Sequence, residues 1–253
     1  MSTQYSEKNC LLKTMEILGL IPARGGSKSI PRKNIVPIAG RPLLAYTCDA
    51  ALSSRALTRV ILSTEDEEIA EVGRNSGVEV PFLRPADLAQ DEIPAFPVLQ
   101  HTLDWLHTHE GYKPEVIVLL QPTSPLRQAK HIDEAVGLLL EKGADSVVSV
   151  VEVPHQYNPL SVMKIENGRL LPFLPGEGIQ VLRRQDKPRV YARNGPAVLV
   201  SRTSVIKRTA SLYGDLLIPY VMGWPESIDI DTYMDVVSAE FFLRGDHASS
   251  NGR

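Results

Sequence analysis

Apolar residues follow two alternating patterns along the first 150 positions. Short continuous runs, Ile17-Leu-Gly-Leu-Ile21, Arg59-Val-Ile-Leu-Ser63, Val116-Ile-Val-Leu-Leu120 and Ser146-Val-Val-Ser-Val-Val151, read as β-strands. Between them, residues 42–52, 66–76, 96–109 and 129–142 read as helices. The first helix has Pro42 in its opening turn, and the second has acidic residues at its start and Gly77 as its stop. Val78-Glu-Val-Pro-Phe82 reads as a short strand near a sheet edge, because Pro81 lacks a donor. The alternation predicts βαβ units: an α/β fold with a mostly parallel sheet flanked by helices.

The pattern breaks over residues 154–193, which Pro159, Pro172, Pro175 and Pro188 punctuate. Asn167-Gly168, between Val162-Met-Lys-Ile165 and Arg169-Leu-Leu171, is a hairpin signal. An inserted β-rich lobe is expected here, too short to bury its own Ile165, Leu170, Phe173, Ile179 and Leu182. A second copy of the chain is the simplest cover, which predicts a homodimer. Regular structure returns with Ala197-Val-Leu-Val-Ser201 and a closing helix over 232–243. The expected organisation is one domain over 14–244 containing the lobe, with flexible termini at 1–13 and 245–253.

At 253 residues the chain can bury a sizeable core without staples. Its net charge of −3 argues against a dedicated nucleic-acid binder. Cys10 and Cys48, the only cysteines, form no metal framework, and Cys48 falls on the apolar side of a helix. The polar N-terminus lacks the apolar core of a signal peptide, and no apolar run reaches the ~18 residues of a membrane span. The expectation is a soluble, cytoplasmic protein without a membrane partner.

The residues after the first strand carry the strongest chemical signal. Arg24-Gly-Gly-Ser-Lys28 and Arg32-Lys-Asn34 combine paired glycines with four cations, Arg24, Lys28, Arg32 and Lys33. Glycines let backbone N–H groups approach an anion closely and the cations offset its charge. The place is also right, since open α/β sheets bind ligands at the carboxyl ends of their strands. The loop is read either as a polyphosphate site or as a basic surface loop; it matches neither a Walker A nor a dinucleotide fingerprint.

Asp229-Ile-Asp231 puts two carboxylates on one side of an extended segment, both expected to face solvent. It is a candidate Mg²⁺ site, or else Asp231 caps the closing helix and Asp229 is a turn residue. Gln121, at the end of a buried strand, is placed to hydrogen-bond a sugar; Thr123 and Ser124 are read as turn and capping residues, and for Arg127 that reading and a role at the site both stay open. Arg84 either reads a base carbonyl or pairs with Asp87 on the surface. Arg183-Arg184 in the lobe suits a carboxylate or phosphate, or is an exposed charge cluster.

Taken in order, Ala23-Arg-Gly-Gly-Ser-Lys28 with Lys33-Asn34, Leu83-Arg-Pro-Ala86, Leu120-Gln-Pro-Thr-Ser-Pro-Leu-Arg127, Arg184-Gln185, Asn194-Gly195 and Ser227-Ile-Asp-Ile-Asp231 resemble the acylneuraminate cytidylyltransferase family. The resemblance spans residues 17–243, and its ordered motifs are more specific than any one alone. It implies a Rossmann-like nucleotidyltransferase fold and a homodimer whose lobe helps close the partner's sugar site. It implies that Arg24, Gly25, Lys28, Lys33 and Asn34 hold the nucleotide, with Arg84 near the base. Gln121, Asn194 and Arg184 would face the sugar, and Asp229 and Asp231 would bind Mg²⁺. Arg24, Lys33 and both aspartates would carry the catalytic electrostatics.

The activity implied is transfer of CMP from CTP to an acidic nine-carbon 2-keto sugar, such as sialic or legionaminic acid, with release of pyrophosphate. Three positions depart from the family's pattern: Ser29 follows the loop lysine, Ala95 lies where a hydroxyl for cytosine is usual nearby, and Pro196 follows Asn194-Gly195. They keep two alternatives open: a nucleotidyltransferase using another NTP, such as GTP, with a sugar 1-phosphate, and a non-catalytic nucleotide-sugar binder.

Overall fold

The computed structural model describes residues 15–174 and 183–245. The chain runs β1 (Ile17–Pro22), a two-residue ladder of β2 (Pro37–Ile38) and β3 (Arg41–Pro42), α1 (Leu43–Leu52), β4 (Arg59–Ser63), α2 (Glu67–Asn75), α3 (Ala95–Glu110), β5 (Val116–Leu119), α4 (Ala129–Lys142) and β6 (Ser146–Glu152). Then come β7 (Met163–Glu166), β8 (Arg169–Pro172), β9 (Tyr191–Arg193), β10 (Leu199–Arg202), α5 (Thr203–Thr209), β11 (Leu217–Met222) and α6 (Tyr233–Leu243). The main sheet has the order β11-β6-β10-β5-β1-β4, with β9 also paired to β6. The pairs β1–β4, β1–β5 and β6–β11 are parallel; β10 runs antiparallel between β5 and β6.

Burial explains why this order is stable. All four residues of β5 are buried, as are the first five of β1. One face of the sheet is covered by α1, α2 and α4 through Leu44, Cys48, Ile69, Ile132 and Leu139. The other is covered by α3 and α5 through Leu99, Leu103, Leu106 and Ile206. Burial pushes the Cys48 thiol up to about 12, so it behaves as an apolar core group. A third cluster, Ile30, Ile38, Leu43, Ile228, Ile230 and Ala239, joins the glycine loop to α6.

Four local differences from the sequence pattern have physical causes. Val78–Phe82 forms no strand; it makes one parallel bridge, Ile61 to Glu79, before Pro81 ends the ladder. The unanticipated β11 contains Pro219, tolerated because β11 is the sheet edge. Pro42 precedes α1 and is not in its first turn; Pro42 pairs with Pro37 in the small ladder. The short α5 and β9 carry too few apolar residues to announce themselves.

The hairpin is present as β7 and β8, a separate two-stranded sheet, with Asn167 and Gly168 at φ of 52° and 73°. Two left-handed residues in sequence give the turn whose twist matches the strands. Its Ile165 and Leu170 are 77% and 61% exposed. Ile179 and Leu182, expected in the same lobe, lie outside the described residues. Among the described residues, no helix is long and apolar enough to cross a membrane.

Candidate active site

A cavity of about 540 Å³ opens at the carboxyl ends of β1 and β5. Arg24, Lys28, Lys33, Asn34, Arg84, Gln121 and Asp231 line it, with Asp91, Pro94 and Ala95 on the opposite wall. The glycine loop reaches the cavity because both ends are tied down. Ala23 N–H donates to the Ser63 carbonyl at 3.0 Å, and Asn34 Nδ2 donates to the Arg24 carbonyl at 2.8 Å. Ile30, wholly buried in the cluster beneath α6, anchors the middle.

Glu65 supports the loop from below. Its Oε1 accepts from Gly25 N–H at 2.6 Å and its Oε2 accepts from Arg84 Nη2 at 2.7 Å, so one carboxylate joins the loop to the arginine. The Gly25 N–H is thus engaged within the protein. Gly25 is also required for space: a Cβ there would lie 2.6 Å from Asp66 Oδ2.

Of the four loop cations, three line the cavity. Arg32 does not; it sits at φ 56° and its guanidinium turns to Asp66 and Glu68 at the start of α2. The other cations each have a carboxylate. Asp91 accepts from Arg24 Nη1 at 2.6 Å and from Lys28 Nζ at 2.7 Å. Lys28 and Arg24 hold the Asp91 carboxyl below the usual range. Lys33 Nζ donates to Asp231 Oδ1 and to the Ile230 carbonyl, both at 2.9 Å. Arg84 is buried and pairs with Glu65, not Asp87; burial pushes its guanidinium down, and its Nε has no hydrogen-bond partner.

The aspartates differ from one another, contrary to the expectation that both face solvent. Asp231 is exposed, at 72% for its side chain, beside Lys33. Asp229 is half-buried and lines a separate cavity of about 190 Å³ with Trp224 and Ser227. Burial pushes the Asp229 carboxyl up, a hydrogen bond with Thr123 offsets part of this, and the Asp231 charge adds to it. Asp229 Oδ1 is sealed from solvent with no hydrogen-bond partner. Asp231 does not cap α6: Thr232 does, in a capping box with Asp235. Two oxygen donors, one of them orphaned, fit a hard divalent cation.

Arg127 is neither turn nor cap. It is 3% exposed and ties three elements together. Its Nη1 donates to the Gln121 carbonyl at 3.0 Å and the Ala197 carbonyl at 2.6 Å, and its Nη2 to Thr47 Oγ1 at 2.5 Å. Burial pushes the guanidinium down to about 9, still protonated at neutral pH. This bridge fixes Gln121 at the cavity rim.

Of the expected sugar residues, Asn194 is not brought to the cavity. Asn194 is buried, and its amide is used internally by Ser149 Oγ at 2.6 Å and Ser227 Oγ at 2.8 Å. The Arg184 side chain lies outside the described residues. Glu65 and Asp91 were not singled out as site residues. The acidic run Glu65-Asp66-Glu67-Glu68 directly after a strand was the available signal for the first; Asp91 had none.

With the loop, sheet order and cavity established, comparison defines the class. The sequence profile of the cytidylyltransferase family matches residues 18–167, and the chain belongs to that family. It is 34% identical over 225 residues to the CMP-N,N'-diacetyllegionaminic acid synthase of Legionella pneumophila, covering 87% of this chain and 93% of that protein. It is 32% identical over 221 residues to the N-acylneuraminate cytidylyltransferase of Escherichia coli, of whose length the match spans 50%. In fold it is similar to a solved CMP:2-keto-3-deoxy-manno-octonic acid synthetase complexed with CTP, with a TM-score of 0.65, 15% identity and 91% and 99% of the two chains covered.

Proposed function

We propose that the protein transfers CMP from CTP to the anomeric hydroxyl of an acidic nine-carbon 2-keto sugar, releasing pyrophosphate. The observation that carries this reading is the convergence of Arg24, Lys28 and Lys33 with Asp231 on one cavity. Three cations suit a triphosphate, and a carboxylate beside a lysine suits the seat of a phosphoryl transfer. The relatives named above act, by their names, on acylneuraminate and diacetyllegionaminic acid.

Arg24 and Lys28 offset charge on the leaving phosphates, and Lys33 stabilises charge at the phosphorus under attack. Arg84, held rigid by Glu65, reads the base, and Gln121 orients a sugar hydroxyl. Asp229 and Asp231 would hold Mg²⁺, which would supply charge neutralisation on the phosphates and lower the pKa of a hydroxyl. The sugar oxygen attacks in line, so no covalent enzyme intermediate is required.

The lobe of residues 154–193 serves as the dimerisation element. Its exposed Ile165, Leu170 and Phe173 support that reading, and Arg184 then reaches the partner's sugar carboxylate.

Ile93, Pro94 and Ala95 present no side-chain hydrogen-bonding group to the cavity, which keeps another base in play. A turnover screen of four NTPs against sialic, legionaminic, pseudaminic and octulosonic acids and against sugar 1-phosphates decides the matter. CTP with a nine-carbon acid is expected to be the productive pair. Turnover only with GTP and a sugar 1-phosphate would replace the proposal.

A further inference from the structure

The cations expected to take the triphosphate already hold an anion. Asp91 bridges Arg24 and Lys28 through separate oxygens, at 2.6 and 2.7 Å, across the mouth of the cavity. Its carboxylate comes from the turn after Ala86–Ala89, a different segment from the loop it grips. Lys33 is answered by Asp231, and Arg84 by Glu65. The Asp91 pair differs from these in its cations: Lys28 is 83% exposed and Arg24 36%, against 15% for Lys33 and 3% for Arg84. An exposed ion pair is weak and exchanges readily with a stronger anion.

We propose that Asp91 is a displaceable counter-anion: its carboxylate occupies the phosphate seat on Arg24 and Lys28, and the nucleotide's phosphates bind by taking its place. This inference rests on the reading of the cavity as a nucleotide site. A phosphate chain and the Asp91 carboxylate seek the same two donors and repel each other at short range. Asp91 therefore weakens triphosphate binding and, equally, helps expel pyrophosphate after transfer. It also holds the loop against the Asp91–Ala95 wall while no nucleotide is bound, which limits the rearrangement that binding requires. The contact sets affinity and product release, and leaves the chemistry at the α-phosphate untouched.

The test is calorimetric titration of the wild-type protein, Asp91→Asn, Asp91→Ala and Asp91→Glu with CTP, pyrophosphate and cytidine, at low and high ionic strength. Removal of the charge in Asn and Ala is expected to lower the Kd for CTP and for pyrophosphate by about three- to tenfold at low salt. The gain should shrink at high salt. Cytidine, without phosphates, should bind all four proteins alike, and Asp91→Glu should stay near wild type. Inhibition of turnover by pyrophosphate should set in at a correspondingly lower concentration in Asp91→Asn. Unchanged or weaker pyrophosphate binding in both Asn and Ala, with wild-type binding intact, would overturn the proposal: Asp91 would then orient the cations instead of competing for them. Wild-type protein that binds neither CTP nor pyrophosphate would remove the nucleotide reading and this inference with it.

Discussion

Replacing Asp229 by Asn should make the protein more stable and less active at once. The reasoning starts from the position of the carboxylate: half-buried, with Oδ1 sealed and unpartnered and the Asp231 charge nearby. A buried polar group costs more when it is charged than when it is neutral. Asn keeps the shape and the sealed polar atom and discards only the charge, so a gain of about 1–2 kcal/mol is expected without metal, or about 2–8 °C in melting temperature for a chain of this size.

The pH dependence has a definite sign. Burial raises the folded pKa above the unfolded one, so the folded state binds more protons and stability falls as pH climbs from the unfolded value through the folded value. Asp229→Asn should lose that fall, so its advantage is absent at the lowest pH and full at neutrality. Mg²⁺ should act in the opposite direction. At ten times its Kd it adds about 1.4 kcal/mol to the wild-type protein and little to the variant. Thermal melts of both proteins across pH, with and without Mg²⁺, measure all of this. A variant that melts lower than wild type at neutral pH, or equal stabilisation of both by Mg²⁺, would refute the reasoning.

Arg127→Lys should cost about 3–5 kcal/mol by urea unfolding, because an ammonium keeps the buried charge but cannot reach Gln121, Ala197 and Thr47 together; a change below 1 kcal/mol, roughly that of a surface site, would show that the bridge is dispensable. The protein should scatter light as a dimer at micromolar concentration. Mixed Arg184→Ala and Lys33→Ala subunits should regain activity that neither variant has alone; a fully active monomer would exclude a shared site.

The central sheet was legible because buried strands leave continuous apolar runs, and β1, β4, β5 and β6 begin within a residue of them. The direction of β10 was not, since Ala197–Ser201 reads the same in either sense and its antiparallel placement is set by the lobe returning from the carboxyl end of β6. The phosphate loop was legible from glycines and cations close together. Which cations face the cavity was not, because the sequence shows charge but not partners: Arg32 is lost to Asp66 and Glu68, residues 34 and 36 positions away. Asp91 escaped notice for the same reason, its value lying in contacts with a loop more than sixty residues earlier. Asn194 looked like a sugar ligand, yet its amide is consumed by Ser149 and Ser227, which no local pattern announces.

The central claim is the attack of a sugar oxygen on the α-phosphate of CTP. It is tested most directly by ³¹P NMR and mass spectrometry of CTP incubated with Mg²⁺, the protein and legionaminic or sialic acid carrying ¹⁸O at the anomeric hydroxyl. The expected result is one CMP phosphodiester for each pyrophosphate formed, with the label in the bridge between sugar and phosphorus. Unlabelled CMP-sugar, or CTP cleaved only to CMP and pyrophosphate with every acid offered, would contradict the account.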